Sequence, residues 1–268
     1  MYTLKYLSQI YMTHFKLDMA VRFQYRADTV FYVLTVILLP VIYLSVWSTA
    51  AGSDQIGGYS QRGFAAYYIA VLITNHFTDT WTMWLYEDYV RSGSFSHELL
   101  RPLHPVHVEI APNLTHKIFS LIFLIPTVIV LVFLFQPELN INPTSAFYFL
   151  VTLIFAMILA FLLGWAVAMI AFWSTRMDAI NQIYFLLMLF FSGQFAPLAV
   201  LPSWLITLAT WLPFRWIISF PVEVLLGNTV GQDIGFGILF QMGWIFALFL
   251  ITNRLWAWGV RNFSAVGG

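Results

Sequence analysis

Four polar residues stand close together in an otherwise apolar stretch: Asn75, His76, Thr78 and Asp79. On a helix Asn75 and Asp79 share a face at i, i+4 spacing, and His76 and Asp79 are neighbours at i, i+3. A carboxylate beside an imidazole can relay protons, and a carboxylate beside an amide can hold the polar part of a ligand. An ionisable residue at membrane depth is a functional candidate by default. The plainer alternative is interhelical hydrogen bonding. We favour it, because a coupled ion pathway usually shows more than one such cluster and this chain offers little else.

The other histidines do not assemble a site. His14 lies near the N-terminus, His97, His104 and His107 share one polar loop, and His116 follows just beyond. His104 and His107 are three apart, but Pro105 between them opposes helical metal ligation, so no metal site is expected. No serine, histidine and carboxylate set converges, so no catalytic residue is expected either. The absence of cysteine removes disulfides and thiolate chemistry. No G-x-x-x-x-G-K-[ST] phosphate loop is present, and Lys5, Lys16 and Lys117 stand beside no glycine run. Ser192-Gly193-Gln194 looks superficially like an ATPase signature loop, yet it ends an apolar run.

These residues are carried by a chain that is 60% hydrophobic, 19% aromatic and only 9% charged. A soluble domain carries about a quarter charged residues, so lipid must be the main solvent. The net charge of zero gives no field for nucleic acid. No cleaved signal peptide is evident, and the first span is expected to serve as the targeting signal.

Crossing ~30 Å of hydrocarbon takes ~20 apolar residues in a helix. Six segments qualify: about Thr29–Trp47, Gly63–Leu85, Ile118–Phe135, Ser145–Trp173, Ala179–Phe195 and Gly237–Trp258. Threading them places Lys5, Lys16, Arg22, Arg26, Arg91, Arg101, Lys117, Arg176, Arg254 and Arg261 on one side, leaving only Arg62 and Arg215 opposite. By the positive-inside rule both termini are cytoplasmic. The whole chain, 1–268, reads as one all-α membrane domain. Within it, 1–28 is an N-terminal segment, 86–117 a cytoplasmic loop and 196–227 an outer hairpin. Leu4, Leu7, Tyr11 and Phe15 recur at helical spacing, which suits an amphipathic helix in the headgroup region. Asp18 and Arg22 interrupt that stripe, and the alternative is a basic leader that sets topology.

Two segments look built for movement. The loop after the second span contains Glu87, Arg91, Gly93, Phe95, Glu98, Leu99, Leu100, Arg101 and Pro102. Gly93 punctuates it, Ser94 is a plausible N-cap and Pro102 disfavours helix at Arg101. The expected product is a two-turn helix with Phe95, Leu99 and Leu100 on one face, an exposed apolar knob able to dock in a groove of a soluble partner. A mere solvated connection is the other reading. The second segment holds Gly193, Pro197, Leu198, Pro202, Trp204, Pro213, Phe214, Pro221 and Gly227. It is too apolar for a free loop, and its prolines cut it into pieces of about half a bilayer. Re-entrant half-helices follow, with Trp204, Trp211 and Trp216 at the interface. The hairpin would gate a central cavity or merely plug it.

These segments carry a resemblance. Arg91-Ser92-Gly93 followed by Leu99-Leu100-Arg101-Pro102-Leu103, and Pro197-Leu198, Leu201-Pro202, Trp204-Leu205, Leu212-Pro213-Phe214, Pro221 and Gly227, are similar to the hallmarks of type 2 ATP-binding-cassette exporter permeases. The likeness is to a bacterial six-span branch and covers essentially the whole chain. It implies that the early loop is a coupling helix seated on an ATPase subunit. The N-terminal segment would be the connecting helix and the hairpin the paired extracellular helices. Two copies of the ATPase would bind ATP and Mg, leaving this chain without a cofactor. A second permease, identical or related, would complete the pathway in the inner membrane, surrounded by lipid. An apolar, aromatic cavity wall suggests an amphipathic or lipid-like cargo moving outward. The alternative function is an ion-coupled secondary transporter using Asp79 and His76.

Overall fold

The computed structural model describes residues 4–174 and 176–263, without the side chains of 4–6, 26–29 and 32–36. Leu4, Lys5 and Arg26, used above for the leading stripe and the charge count, have side chains outside that set. Among the described residues the chain is helical throughout, and a lone bridge between Ile56 and Tyr59 is the sole β pairing.

The helices run α1 Leu4–Gln24, α2 Arg26–Ala51, α3 Gln61–Thr78, α4 Thr82–Arg91, α5 Phe95–Leu100 and α6 Val106–Phe135. They continue with α7 Pro143–Met169, α8 Asp178–Phe191, α9 Ser203–Trp211, α10 Ser219–Leu225 and α11 Gln232–Asn262. Short 3-10 turns cover Ile170–Phe172 and Leu198–Val200. Among the described residues three helices are long and apolar enough to cross a membrane: Val106–Phe135, Pro143–Phe172 and Gln232–Asn262. The chain is a multi-pass membrane protein.

Sequence signals mark several helix ends. Asn142 caps α7 by accepting from the Ser145 backbone N–H at 2.7 Å, Ser145 returns a bond to the Asn142 N–H, and Pro143 occupies the first helical position. Gly93 follows α4 with φ of 71°, and Gly227 follows α10 with φ of 75°. A Cβ would oppose that left-handed geometry, which is why helices end on glycine there.

Three spans differ from expectation. The second is not continuous: α3 stops at Thr78, and Asp79–Trp81 separate it from α4. The third is longer, because α6 starts directly after Pro105; its 30 residues measure about 45 Å, so it outreaches the hydrocarbon. The fifth is shorter, because α8 holds 14 residues, about 21 Å, and the chain bends at Ser192–Phe195 instead of continuing.

α7 is the hub, packing against α3, α4, α10 and α11. One buried cluster joins α2, α3, α7, α10 and α11 around Tyr67, Tyr68, Leu159, Ile217 and Phe220. Close approach here depends on glycine. A Cβ on Gly237 would lie 2.1 Å from the Phe220 ring, and one on Gly259 would lie 2.2 Å from Phe172. A second cluster joins α4, α5 and α7 around Tyr86, Phe95, Trp165 and Phe172.

α1 lies along the first half of α6. Tyr11 shares a 2.9 Å hydrogen bond with His107 Nδ1, and Phe23 meets Phe119 edge-on. Arg22 bonds Asp18 at 2.7 Å and also donates to His116 Nδ1 at 2.7 Å. Arg22 thus faces α6 and forms a local ion pair with Asp18.

Candidate functional site

The polar cluster at the end of α3 divides between two neighbours. Asn75 faces the bend after α8, where the Gln194 amide donates to its Oδ1 at 2.9 Å. His76 turns the other way, and its Nε2 donates to the Lys117 carbonyl of α6 at 2.9 Å. The backbone N–H of Asp79 caps α3 on the Asn75 carbonyl. The Asp79 carbonyl in turn accepts from the Lys117 ammonium at 2.7 Å and from the Asn113 amide at 3.4 Å. The break between α3 and α4 is therefore held by a cation at the negative end of a helix dipole. Lys117 also donates to Asn113 Oδ1 and is only 4% exposed. Opposite the break, a Cβ on Gly164 of α7 would lie 2.7 Å from the Thr80 methyl.

Lys117 and Asn113 were missed by reading the sequence, which used Lys117 only as one of the inner-side charges. Its spacing from Asn113, i and i+4 on one helix, was the available signal.

On the Asn75 side lies a cavity of about 230 Å³ between α2, the α3–α4 break and α8. Leu39, Tyr43, Met188 and Leu189 form apolar walls, while Asn75, Asp79, Thr80 and Gln194 make one polar end. Such a shape fits an amphipathic molecule. His76 is not part of the lining. Among the described residues no group of three or more His, Cys, Asp or Glu is placed to hold a metal.

The hairpin residues of the sequence reading fall into two sets. Gly193, Pro197, Leu198, Pro213, Phe214 and Pro221 are buried, while Pro202, Trp204 and Gly227 are exposed. Residues 214–225 are core rather than a surface lid, since α10 packs between α3 and α7. Trp216 corrects the interfacial expectation: it is 5% exposed, stacks on Phe240 and donates to the Thr210 carbonyl at 3.0 Å. Trp204 and Trp211 remain exposed. Within the hairpin Arg215 pairs with Glu223 at 3.2 Å, and Glu223 accepts from Ser219 at 2.6 Å.

The bend after α8 is fastened to α3. Tyr67 donates to the Gly193 carbonyl at 2.8 Å, Tyr68 donates to the Phe195 carbonyl at 2.7 Å, and Trp47 of α2 donates to the same carbonyl at 2.8 Å. Gly193 has φ of 90°, and a Cβ would sit 2.5 Å from the Tyr67 hydroxyl. Gly193→Ala is therefore expected to cost about 1–3 kcal/mol through backbone strain, plus the displaced tyrosine bond. Thermal unfolding of the purified variant measures it, and pairing it with Tyr67→Phe should recover part of the loss.

The loop after α4 is the third element. Phe95 is fully buried, edge-on to Phe172 at 5.3 Å, Phe263 at 5.6 Å and Trp256 at 6.0 Å, and tilted against Tyr86 at 5.4 Å. Leu99 packs partly on the same cluster, while Leu100 is 82% exposed. The expected three-residue knob is thus an anchor, Phe95, and an outward tip, Leu100. Glu98 and Arg101 form a 2.9 Å ion pair and Asp88 and Arg91 one of 2.6 Å, both too exposed to add much stability. Ser94 precedes α5 but makes no side-chain cap; its hydroxyl pairs with Ser92 at 2.9 Å instead. Glu87 is half-buried, and Gly93 makes the turn between the helices. Arg101 is extended, as a residue before Pro102 must be. His104 rests against Trp256 with ring centres 4.4 Å apart. Partial desolvation against this cluster, reinforced by His107, lowers its pKa, and its Nδ1 accepts from the Val106 N–H at 3.2 Å.

The sequence pattern of the ABC-2 family transporter proteins matches residues 29–267. The chain belongs to that family, whose permeases work with ATPase subunits. No curated protein matches it in sequence.

Proposed function

We propose that this chain is the membrane-spanning subunit of an ATP-binding-cassette exporter. In this reading α2, α3, α6, α7, α8 and α11 are the six spans and both termini are cytoplasmic. α1 lies at the inner headgroup level. The α4–α5 corner docks on an ATPase subunit, two copies of which supply ATP and Mg²⁺ chemistry. A second permease, identical or related, completes the path. The cargo is amphipathic, its polar part met by Asn75, Gln194 and Asp79 and its apolar part by the walls around Tyr43 and Met188.

The observation that carries the reading is the joint at Phe95. A six-residue helix that only connected two spans would need no aromatic anchor. Here the anchor locks α5 to α4, to the end of α7 and to α11, while Leu100 and Arg101 point outward. A push on that tip moves three helices as one body, because close-packed interiors transmit strain.

The test is copurification of this chain with an ATP-binding-cassette ATPase subunit. Leu100→Ala combined with Arg101→Glu is expected to weaken the complex about tenfold, roughly 1.4 kcal/mol, while membrane insertion and thermal stability stay unchanged. Full-strength binding of the ATPase by the double variant removes the docking assignment. Transport that ignores ATP and collapses with an ion gradient would favour the ion-coupled alternative.

A further inference from the structure

A second cavity of about 560 Å³ opens at the Gln61 end of α3, remote from α5. Its volume falls in the ~300–1,000 Å³ range of small-molecule sites. It is walled by the turn after α2, the first turns of α3, the loop after α6 and the hairpin. The turn is pinned, because a Cβ on Gly57 would lie 2.8 Å from Val200 Cγ2. The space beside it is left open, because a Cβ on Gly58 would meet nothing within 4 Å. Gly63 and Ala66 keep the floor low.

The lining selects a ligand class by its charges. Arg215, the cation of the lining, is paired with Glu223 at 3.2 Å and bonded to Thr210 at 2.8 Å, and its remaining Nε is buried, so a phosphate or carboxylate finds no accessible spare cation in the lining. Glu138 accepts from the Ser60 hydroxyl at 3.1 Å. No metal-holding group of three His, Cys, Asp or Glu exists among the described residues. A hydrocarbon tail would strip water from these polar groups without replacing their hydrogen bonds. Beside these charges stand groups that both donate and accept: the amides of Gln55, Asn140 and Asn228 and the Tyr59 hydroxyl, to which Asn228 donates at 3.1 Å. Each hydroxyl of a sugar is likewise donor and acceptor at once.

We infer that this cavity binds a polyhydroxylated, saccharide-like group, whether a free sugar or the headgroup of a glycolipid. The Gln55, Asn140 and Asn228 amides hydrogen-bond the ligand hydroxyls, and the pinned turn presents the site preformed. The site does not depend on the transport reading, only on the cavity and its lining.

The test uses the full chain in phosphatidylcholine nanodiscs and reads tryptophan emission, since Trp216 lies 5.4 Å from the Arg215 guanidinium in the cavity wall. Maltose and N-acetylglucosamine are titrated as free sugars, and a maltosyl lipid is included in parallel discs. Inorganic phosphate and spermidine serve as charged probes. The expected result is a saturable response to a sugar probe that weakens about tenfold in Asn140→Ala, the loss of one hydrogen bond. Gln55→Phe, which fills the mouth from an exposed position without adding an emitter to the readout, should abolish it. A response to the maltosyl lipid alone identifies the headgroup as the source, and a response to free sugar identifies a soluble ligand. The proposal is overturned by no saturable response to any sugar probe, by saturation with phosphate or spermidine alone, or by sugar binding that both variants leave intact.

Discussion

Phe95→Ala should uncouple this protein without dissolving its membrane bundle. Phe95 has no exposed surface and fills the space between Tyr86, Phe172, Trp256 and Phe263. Removing a buried phenyl ring costs about 3–5 kcal/mol when the site cannot collapse. Much of that cost falls on the α4–α5–α11 joint, because the spans keep their own packing around Tyr67 and Phe220. The expected phenotype is a lowered thermal midpoint, retained insertion and ATP hydrolysis that no longer drives transport. Leu100→Ala supplies the contrast. At 82% exposed it should change stability by less than about 0.5 kcal/mol and act on ATPase binding alone. If Phe95→Ala leaves both the midpoint and the coupling unchanged, the joint has no mechanical role.

Lys117→Met is expected to have the other large effect. The methionine keeps the length of the stem but removes the donor to the Asp79 carbonyl and to Asn113 Oδ1. Asn113 Oδ1 loses its donor, which costs about 1–3 kcal/mol, and the Asp79 carbonyl keeps only the 3.4 Å bond from the Asn113 amide. The end of α3 also loses the cation that faces its dipole. The break at Asp79–Trp81 should loosen, and with it the polar end of the cavity between Asn75 and Gln194. Equilibrium unfolding in detergent measures the cost, and hydrogen exchange at residues 75–84 locates it. Asn113→Leu should cost less, since Lys117 retains the Asp79 carbonyl. Equal stability of wild type and Lys117→Met would mean that water replaces the ammonium and that the network is incidental.

Composition alone settled the solvent. With 9% charged residues a surface facing water all round was not possible, and the long apolar runs in α6, α7 and α11 needed only their length to be recognised. Local chemistry likewise marked Gly93, Gly227 and Pro102 as helix boundaries, because positive φ and the proline restriction are decided within a few residues. Hydrophobicity does not say what covers a residue. Phe95, Leu99 and Leu100 read as one exposed face, yet Phe95 is sealed by α11 from more than 150 positions away in the chain. Trp216 read as interfacial and is buried on Phe240 of α11. Lys117 read as a topological charge and became a buried cap on α3. Each of those outcomes depends on which helix lies opposite, a long-range packing choice in which lipid, protein and interface all accept the same apolar or long side chain. The sequence determined the kinds of surface present, and only the tertiary structure decided which of them meet.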